Sequence, residues 1–155
     1  MHIRQFEIAD LDRVLAIEQA SFLEDAWDQK LFLAYHRRCP EFFLVAMKAR
    51  RVAGYIITCT GSGNAELASI AVDPRHRRHG VGRMLLDHTL AELRTLRVKT
   101  WWLMVEVNNE SAICFYERYG FVRGHCVRRY YGAGRDGWRM RLAISGPQQQ
   151  SKKQP

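Results

Sequence analysis

Acidic residues are in short supply: 16 Asp and Glu stand against 24 Lys and Arg, leaving a net charge of +8. That deficit favours an anionic partner, whether nucleic acid, a phosphorylated ligand or a membrane surface, and charge by itself does not choose among them. Cysteine is scarce too. Cys39, Cys59, Cys114 and Cys126 form no C-x-x-C pair and each has apolar neighbours, so they are expected as small reduced core residues, against secretion and against structural zinc. No apolar run approaches the roughly 20 residues a membrane helix requires. The opening "MHIRQFEIADLDRV" lacks a positive segment followed by an apolar one, so a cytoplasmic location, with no membrane, is expected.

What is present suits one globular domain: 155 residues with 47% apolar content, enough to bury a core. The domain is expected over residues 1–144, and the polar "SGPQQQSKKQP" at 145–155 is too poor in apolar groups to offset its ordering entropy, so disorder is expected there. "HIRQFEI" alternates as a strand does, and "ADLDRVLAIEQASF" switches to helical period with Asp10 as its cap. Asp28 caps a second helix, "QKLFLAYHR", which stops before Cys39-Pro40 because the residue preceding proline avoids helical angles. "EFFLVAMK" and "RVAGYIITCT" flank Ala49-Arg50 as a hairpin, and "AELASIAV" is the next strand. A helix follows to about Leu96, then strand "KTWWLMVEV", a helix "ESAICFYERY" capped by Asn108-Asn109 and stopped by Gly120, and strands "FVRGHCVRRYY" and "GWRMRLAI". This order is mixed α/β, and no internal repeat is visible.

The bend "AVDPRHRRHGVGRMLL" joins a strand to a helix. A helix start carries unpaired N–H groups and about half a positive charge, so bare backbone delivered there makes an anion site. Like charges clustered beside that end repel one another, and a bound pyrophosphate turns the arrangement favourable. A solvated basic turn is the plainer alternative. The spacing from Arg77 through Gly80 to Gly82, R-x-x-G-x-G, matches neither the dinucleotide fingerprint, since position 85 is Leu, nor a phosphate loop ending in Lys-Ser/Thr.

"LASIAVDPRHRRHGVGRMLL" resembles the acetyl-CoA signature of the GCN5-related N-acetyltransferase (GNAT) superfamily, Q/R-x-x-G-x-G/A, and "NNESAICFYERYGF" resembles its second signature, N-x-x-A-x-x-x-Y-x-x-x-G-F. Within the superfamily, "IAVDP", the Asn motif and "RRYY" before "RDGWRM" look most like the RimI-like ribosomal-protein alanine N-acetyltransferases. The resemblance implies a mixed sheet of about seven strands, splayed at the cofactor site and flanked by about four helices. It implies acetyl-CoA as co-substrate, without a metal. The backbone of Ile70, Ala71 and Val72 would pair with the pantetheine arm. Arg77, Arg78, His79, Gly80, Val81, Gly82 and Arg83 would surround the pyrophosphate, with Asn109 as a further contact.

Tyr116 falls on the family's donor position for the departing thiolate, although spacing alone places it equally in an aromatic core stripe with Phe115 and Tyr119. The glutamate that RimI-like sequences carry on the preceding strand falls on Met104, which takes no proton. Two carboxylates remain as base. Glu106 lies two residues along the same strand, and Glu66 is placed by period two on one face with Ala68, Ile70 and Val72. Glu66 is the slightly preferred of the two. Glu24, Asp25 and Asp28 in "SFLEDAWD" either attract a cationic acceptor or cap the following helix. The expected activity is acetyl transfer to a protein or peptide amine, a ribosomal protein among the candidates, by direct attack in a ternary complex. The alternatives are a small amine acceptor and, remotely, a nucleic-acid-binding module; direct nucleic-acid binding is not expected, and the chain is expected as a monomer or homodimer.

Overall fold

The computed structural model describes residues 1–145. Its elements are β1 (His2–Gln5), α1 (Leu11–Phe22), α2 (Gln29–Arg38), β2 (Phe43–Lys48), β3 (Arg51–Gly61), β4 (Asn64–Val72), α3 (Val81–Thr95), β5 (Thr100–Glu106), α4 (Glu110–Tyr119), β6 (Val122–Val127) and β7 (Gly137–Ala143). The strands form one 7-stranded sheet in the order β1-β2-β3-β4-β5-β7-β6. Every neighbouring pair is antiparallel except β4 and β5. The expected α/β architecture is therefore present. Of residues 145–155, where disorder is expected, 146–155 lie outside the described residues.

Each face of the sheet carries its own apolar layer. One layer combines Leu85, Leu86 and Leu93 of α3 with Trp101, Leu103 and Tyr116; the other combines Leu11, Val14 and Ile17 of α1 with Phe32, Val45, Tyr55 and Ile57. Within α1 the buried set is Leu11, Val14, Ile17 and Glu18, so the inward stripe carries a carboxylate among hydrocarbons.

Two irregularities in β4 create the site. Ile57 pairs with Ser69 while Thr58 pairs with Leu67, which leaves Ala68 as the extra residue of a bulge that bends the strand and reverses its alternation. Ala65, Leu67, Ile70 and Val72 consequently pack on the α3 side, whereas Ala68 and Ala71 pack on the α1 side. Glu66 thus lies on the face opposite Ile70 and Val72, contrary to the period-two expectation. Pairing of β4 with β5 ends at Glu66 and Trp102. Beyond that point the strands diverge, and the edge of β4 from Leu67 to Val72 has no strand partner.

Capping follows the expectation at two helices of three. The Asp28 side chain accepts from the N–H of Leu31 at 2.9 Å, and that of Asn109 from Ala112 at 3.3 Å. Asp10 does not cap α1; it closes a preceding 3-10 turn, accepting from the N–H of Glu7 at 2.9 Å and from Arg4 at 2.7 Å. The cysteine expectation is also corrected. Cys39, just after α2, and Cys59 on β3 stand with Cα atoms 5.4 Å apart and are joined as a disulfide; Cys114 and Cys126 are exposed. Apolar neighbours in sequence did not reveal that the one lies on the outer face of α4 and the other on an edge strand.

Candidate active site

The divergence of β4 from β5 opens a cleft of about 1100 Å³ that reaches both faces of the sheet. One end is the bend between β4 and α3. Gly80 is the N-cap of α3 in the left-handed region (φ 76°), no side chain caps this helix, and Arg78 also has a positive φ of 63°. The uncapped N–H groups of the first turn therefore face a cleft that Arg77, Arg78 and Arg83 also line. This is the donor set a diphosphate requires.

The bend is anchored from behind. Asp73, 3% exposed, pairs with Arg13 of α1 and accepts from the N–H of Arg75 at 3.0 Å. Burial pushes its carboxyl up, but the Arg75 N–H and the Arg13 guanidinium outweigh that and hold it below its ordinary value. Arg77 reaches back to the carbonyl of Val72 at 3.2 Å and to Ser21 Oγ at 3.0 Å, so one expected pantetheine contact, the Val72 carbonyl, already has a partner.

Gly82 has a different reason from Gly80. A Cβ there would stand 3.0 Å from the ring of Phe115, so the missing side chain lets α3 and α4 close on each other under the anion site. Gly82→Val is expected to cost about 1–3 kcal/mol through overpacking and to weaken acetyl-CoA binding. A denaturant melt and a calorimetric titration check the two effects, and Phe115→Leu added to Gly82→Val should restore part of each.

The other end of the cleft is walled by the loop after α1 and the loop between β6 and β7. Arg135 joins them. Its guanidinium donates to Glu106 at 3.0 and 2.9 Å and to Asp25 at 3.1 and 2.8 Å. Through that contact Arg135 holds the Glu106 carboxyl, and that of Asp25, below the usual carboxylate range. By itself this cluster of two carboxylates and one guanidinium carries a net negative charge.

Between the two ends stands Tyr116, on the α4 side of the notch and 9% exposed. Burial first, and the neighbouring Tyr131 second, push its phenol far above the ordinary range, so it carries its proton throughout neutral pH. On the α1 side the floor is formed by Ser69 and Glu18. Glu18, 1% exposed, accepts from the Tyr55 hydroxyl and from the Trp27 N–H at 3.1 Å, and Tyr55 shares a hydrogen bond of 2.8 Å with Ser69 Oγ. Burial pushes the Glu18 carboxyl up against the opposing pull of these two donors.

The cleft brings together most of the residues singled out from the sequence: Ile70, Ala71 and Val72, Arg77 and Arg78, Gly80 to Arg83, Glu106, Asn109 and Tyr116 all line it. His79 and Glu66 are outside the lining. Glu66 sits where the strands part, near Tyr35 and Tyr130, whose phenols are pushed up by partial desolvation first and by the Glu66 charge second. Sequence reasoning missed Arg13, Glu18, Tyr55, Ser69 and Arg135. Only Glu18 left a sequence signal, a charged residue at a core-facing position of an amphipathic helix.

A strand edge left open beside an uncapped, arginine-flanked helix start, with a protonated phenol in the same cleft, is the arrangement an acyltransferase drawing on an acyl-coenzyme A needs. The chain belongs to the acetyltransferase (GNAT) family, whose pattern matches residues 10–121, and it is an acetyl-CoA-dependent N-acetyltransferase. The chain is 35% identical over 129 residues to the ribosomal protein bS18 alanine N-acetyltransferase of Escherichia coli K12, covering 83% of this chain and 86% of that protein. It is 30% identical over 150 residues to the N-terminal acetyltransferase B complex catalytic subunit NAA20 of Arabidopsis thaliana, covering 92% and 85%. The crystal structure of Ard1 from Thermoplasma volcanium superposes with a TM-score of 0.87 at 34% identity, covering 93% of this chain and 97% of that one. Among the described residues no helix is long and apolar enough to cross a membrane, and no group of three or more His, Cys, Asp or Glu side chains is placed to hold a metal ion.

Proposed function

We propose that this chain acetylates the N-terminal amine of a protein, a ribosomal protein being the first candidate, in the cytoplasm and as a monomer or homodimer. The observation that carries this reading is the mouth between the loop after α1 and the β6–β7 loop. It leads into the cleft, and Asp25 and Glu106 make it attractive to an ammonium. The relatives named above, one acting on ribosomal protein bS18 and one a catalytic subunit of an N-terminal acetyltransferase complex, support the same acceptor.

In this reading acetyl-CoA supplies a thioester acetyl group to the notch. The α3 N–H groups, Arg78 and Arg83 take its diphosphate, and the open edge at Ile70 and Ala71 takes its arm. Glu106, kept ionised beside Arg135, receives the incoming amine as its ammonium and orients it. Tyr116 gives its proton to the departing sulfur. Glu66 as base is the weaker assignment, since it lies outside the cleft lining. Mass spectrometry of peptides incubated with acetyl-CoA tests the acceptor. A peptide with a free N-terminus should gain one acetyl group at its α-amine, and the same peptide pre-blocked there, with its lysines free, should not. Preferential modification of lysine or of a polyamine overturns the reading.

A further inference from the structure

The amine must lose a proton in the transfer, and the cleft offers no obvious place for it. Met104 stands on the cleft lining and takes no proton. Glu106 is bound by a bidentate guanidinium that holds its carboxyl low, which suits an ammonium-binding group and not a base near neutral pH. Glu66 is outside the lining.

The α1 side of the notch holds a third carboxylate. Glu18 lies at its floor, and a continuous run of hydrogen bonds leads to it from the edge of β4: Ser69 Oγ to the Tyr55 hydroxyl at 2.8 Å, and the Tyr55 hydroxyl to Glu18 Oε2. The order of donors is fixed by chemistry. An ionised Glu18 accepts only, so Tyr55 donates to it; the Tyr55 oxygen then accepts from Ser69, which leaves the Ser69 oxygen with free lone pairs. Ser69 lines the cleft beside the Ala68 bulge, where β4 still pairs with β3 but no longer with β5. The Trp27 N–H at 3.1 Å holds the other carboxylate oxygen, so Glu18 cannot swing away from Tyr55.

We propose that Ser69, Tyr55 and Glu18 form a proton relay that takes the proton lost by the acceptor amine. The Ser69 oxygen accepts the amine proton, the Ser69 proton passes to the Tyr55 oxygen, and the Tyr55 proton passes to Glu18, which ends neutral. The ammonium held at Glu106 sheds two protons in all: the first passes down the relay before the nitrogen attacks and leaves Glu18 neutral, and the second leaves the nitrogen as the tetrahedral intermediate collapses and replaces the proton Tyr116 gives to the sulfur. Charge and protons then balance without an added reactant, and rotation of the two hydroxyls resets the chain once Glu18 releases its proton. The same burial that pushes the Glu18 carboxyl up makes it a better acceptor at the end of the path. The titratable and polar groups facing it are Tyr55 from β3, Ser69 behind it on β4 and the Trp27 N–H from the loop. Farther along the same cleft lie Asp25, Arg77 and Tyr116.

The inference rests on the acetyl-transfer reading of this cleft, and one experiment separates the two. Steady-state kinetics of the full chain with acetyl-CoA and an acceptor peptide are measured from pH 6 to pH 10 (about two units either side of an α-amine's pKa) for wild type, Tyr55→Phe, Ser69→Ala and Glu18→Gln. Tyr55→Phe removes one oxygen and keeps the ring. It is expected to lower kcat at neutral pH by about tenfold to a hundredfold with the acetyl-CoA KM within about twofold. The loss should shrink as pH rises and the free amine becomes abundant. Ser69→Ala should behave alike, and Glu18→Gln should move the acidic limb of the wild-type profile. Wild-type kcat in both Tyr55→Phe and Ser69→Ala, or a loss of equal factor at every pH, overturns the relay while leaving acetyl transfer standing. Absence of acetylation by the wild type with any amine overturns both.

Discussion

Tyr116→Phe is expected to lower kcat about a hundredfold or more while the acetyl-CoA dissociation constant stays within about twofold. The expectation follows from what the substitution removes. The ring remains in its aromatic setting, with Phe115 at 5.5 Å and Phe121 edge-on at 5.8 Å, so packing and stability survive. Only the hydroxyl goes, and no hydrogen bond from that hydroxyl to another group is found among the described residues. Its proton is retained at neutral pH because burial disfavours the phenolate, which is the state a donor to a departing thiolate must have. Stopped-assay kinetics with a thiol reagent, paired with a calorimetric titration, give the two numbers. An unchanged kcat would remove Tyr116 from the chemistry and leave it a core residue.

The second large effect is on stability. Arg13→Met leaves the Asp73 carboxylate, whose side chain is 4% exposed, with only the exposed Arg75 guanidinium at 3.5 Å as counter-charge, and under-compensating a buried charge costs more than the intact pair contributes. Arg13 is itself a quarter exposed, so a loss of about 2–4 kcal/mol is expected, roughly 5–15 °C in Tm for a domain of this size. Arg13→Met with Asp73→Asn should recover much of it, because the neutral side chain no longer needs a partner. The pH dependence has a defined sign. The native Asp73 carboxyl lies below its unfolded value, so its stabilising contribution is complete above the ordinary carboxylate range and is lost as pH falls through the lower native value. The gap between wild type and Arg13→Met should therefore close on acidification. Because Asp73 begins the bend that ends at Gly80, acetyl-CoA binding should weaken alongside.

The features legible in the sequence are those whose cause is local. Asp28 and Asn109 cap their helices because each precedes an N–H within reach; the turn at Ala49-Arg50 joins strands paired at Lys48 and Arg51; the glycine bend announces itself by spacing. The alternation of Trp102, Met104 and Glu106 held because β5 is regular. Glu66 went wrong for a reason period two does not contain, the single extra residue at Ala68 that turns the strand over. The contacts that complete the site are remote along the chain: Arg13 and Asp73 are 60 residues apart, Glu18 and Tyr55 37, Asp25 and Arg135 110. No spacing rule connects such residues, and only the fold brings them together. The disulfide belongs with them, since Cys39 just after α2 and Cys59 near the end of β3 are 20 residues apart and meet only in the fold.

The measurement that bears most directly on this account is amide hydrogen exchange with and without acetyl-CoA. If the bend and the open strand edge hold the coenzyme, protection should rise at the N–H groups of Arg78 to Arg83 and along Ala68 to Val72, with the strand pair β6–β7 unchanged. Protection confined to other segments, or none at saturating coenzyme, would contradict the assignment of this cleft.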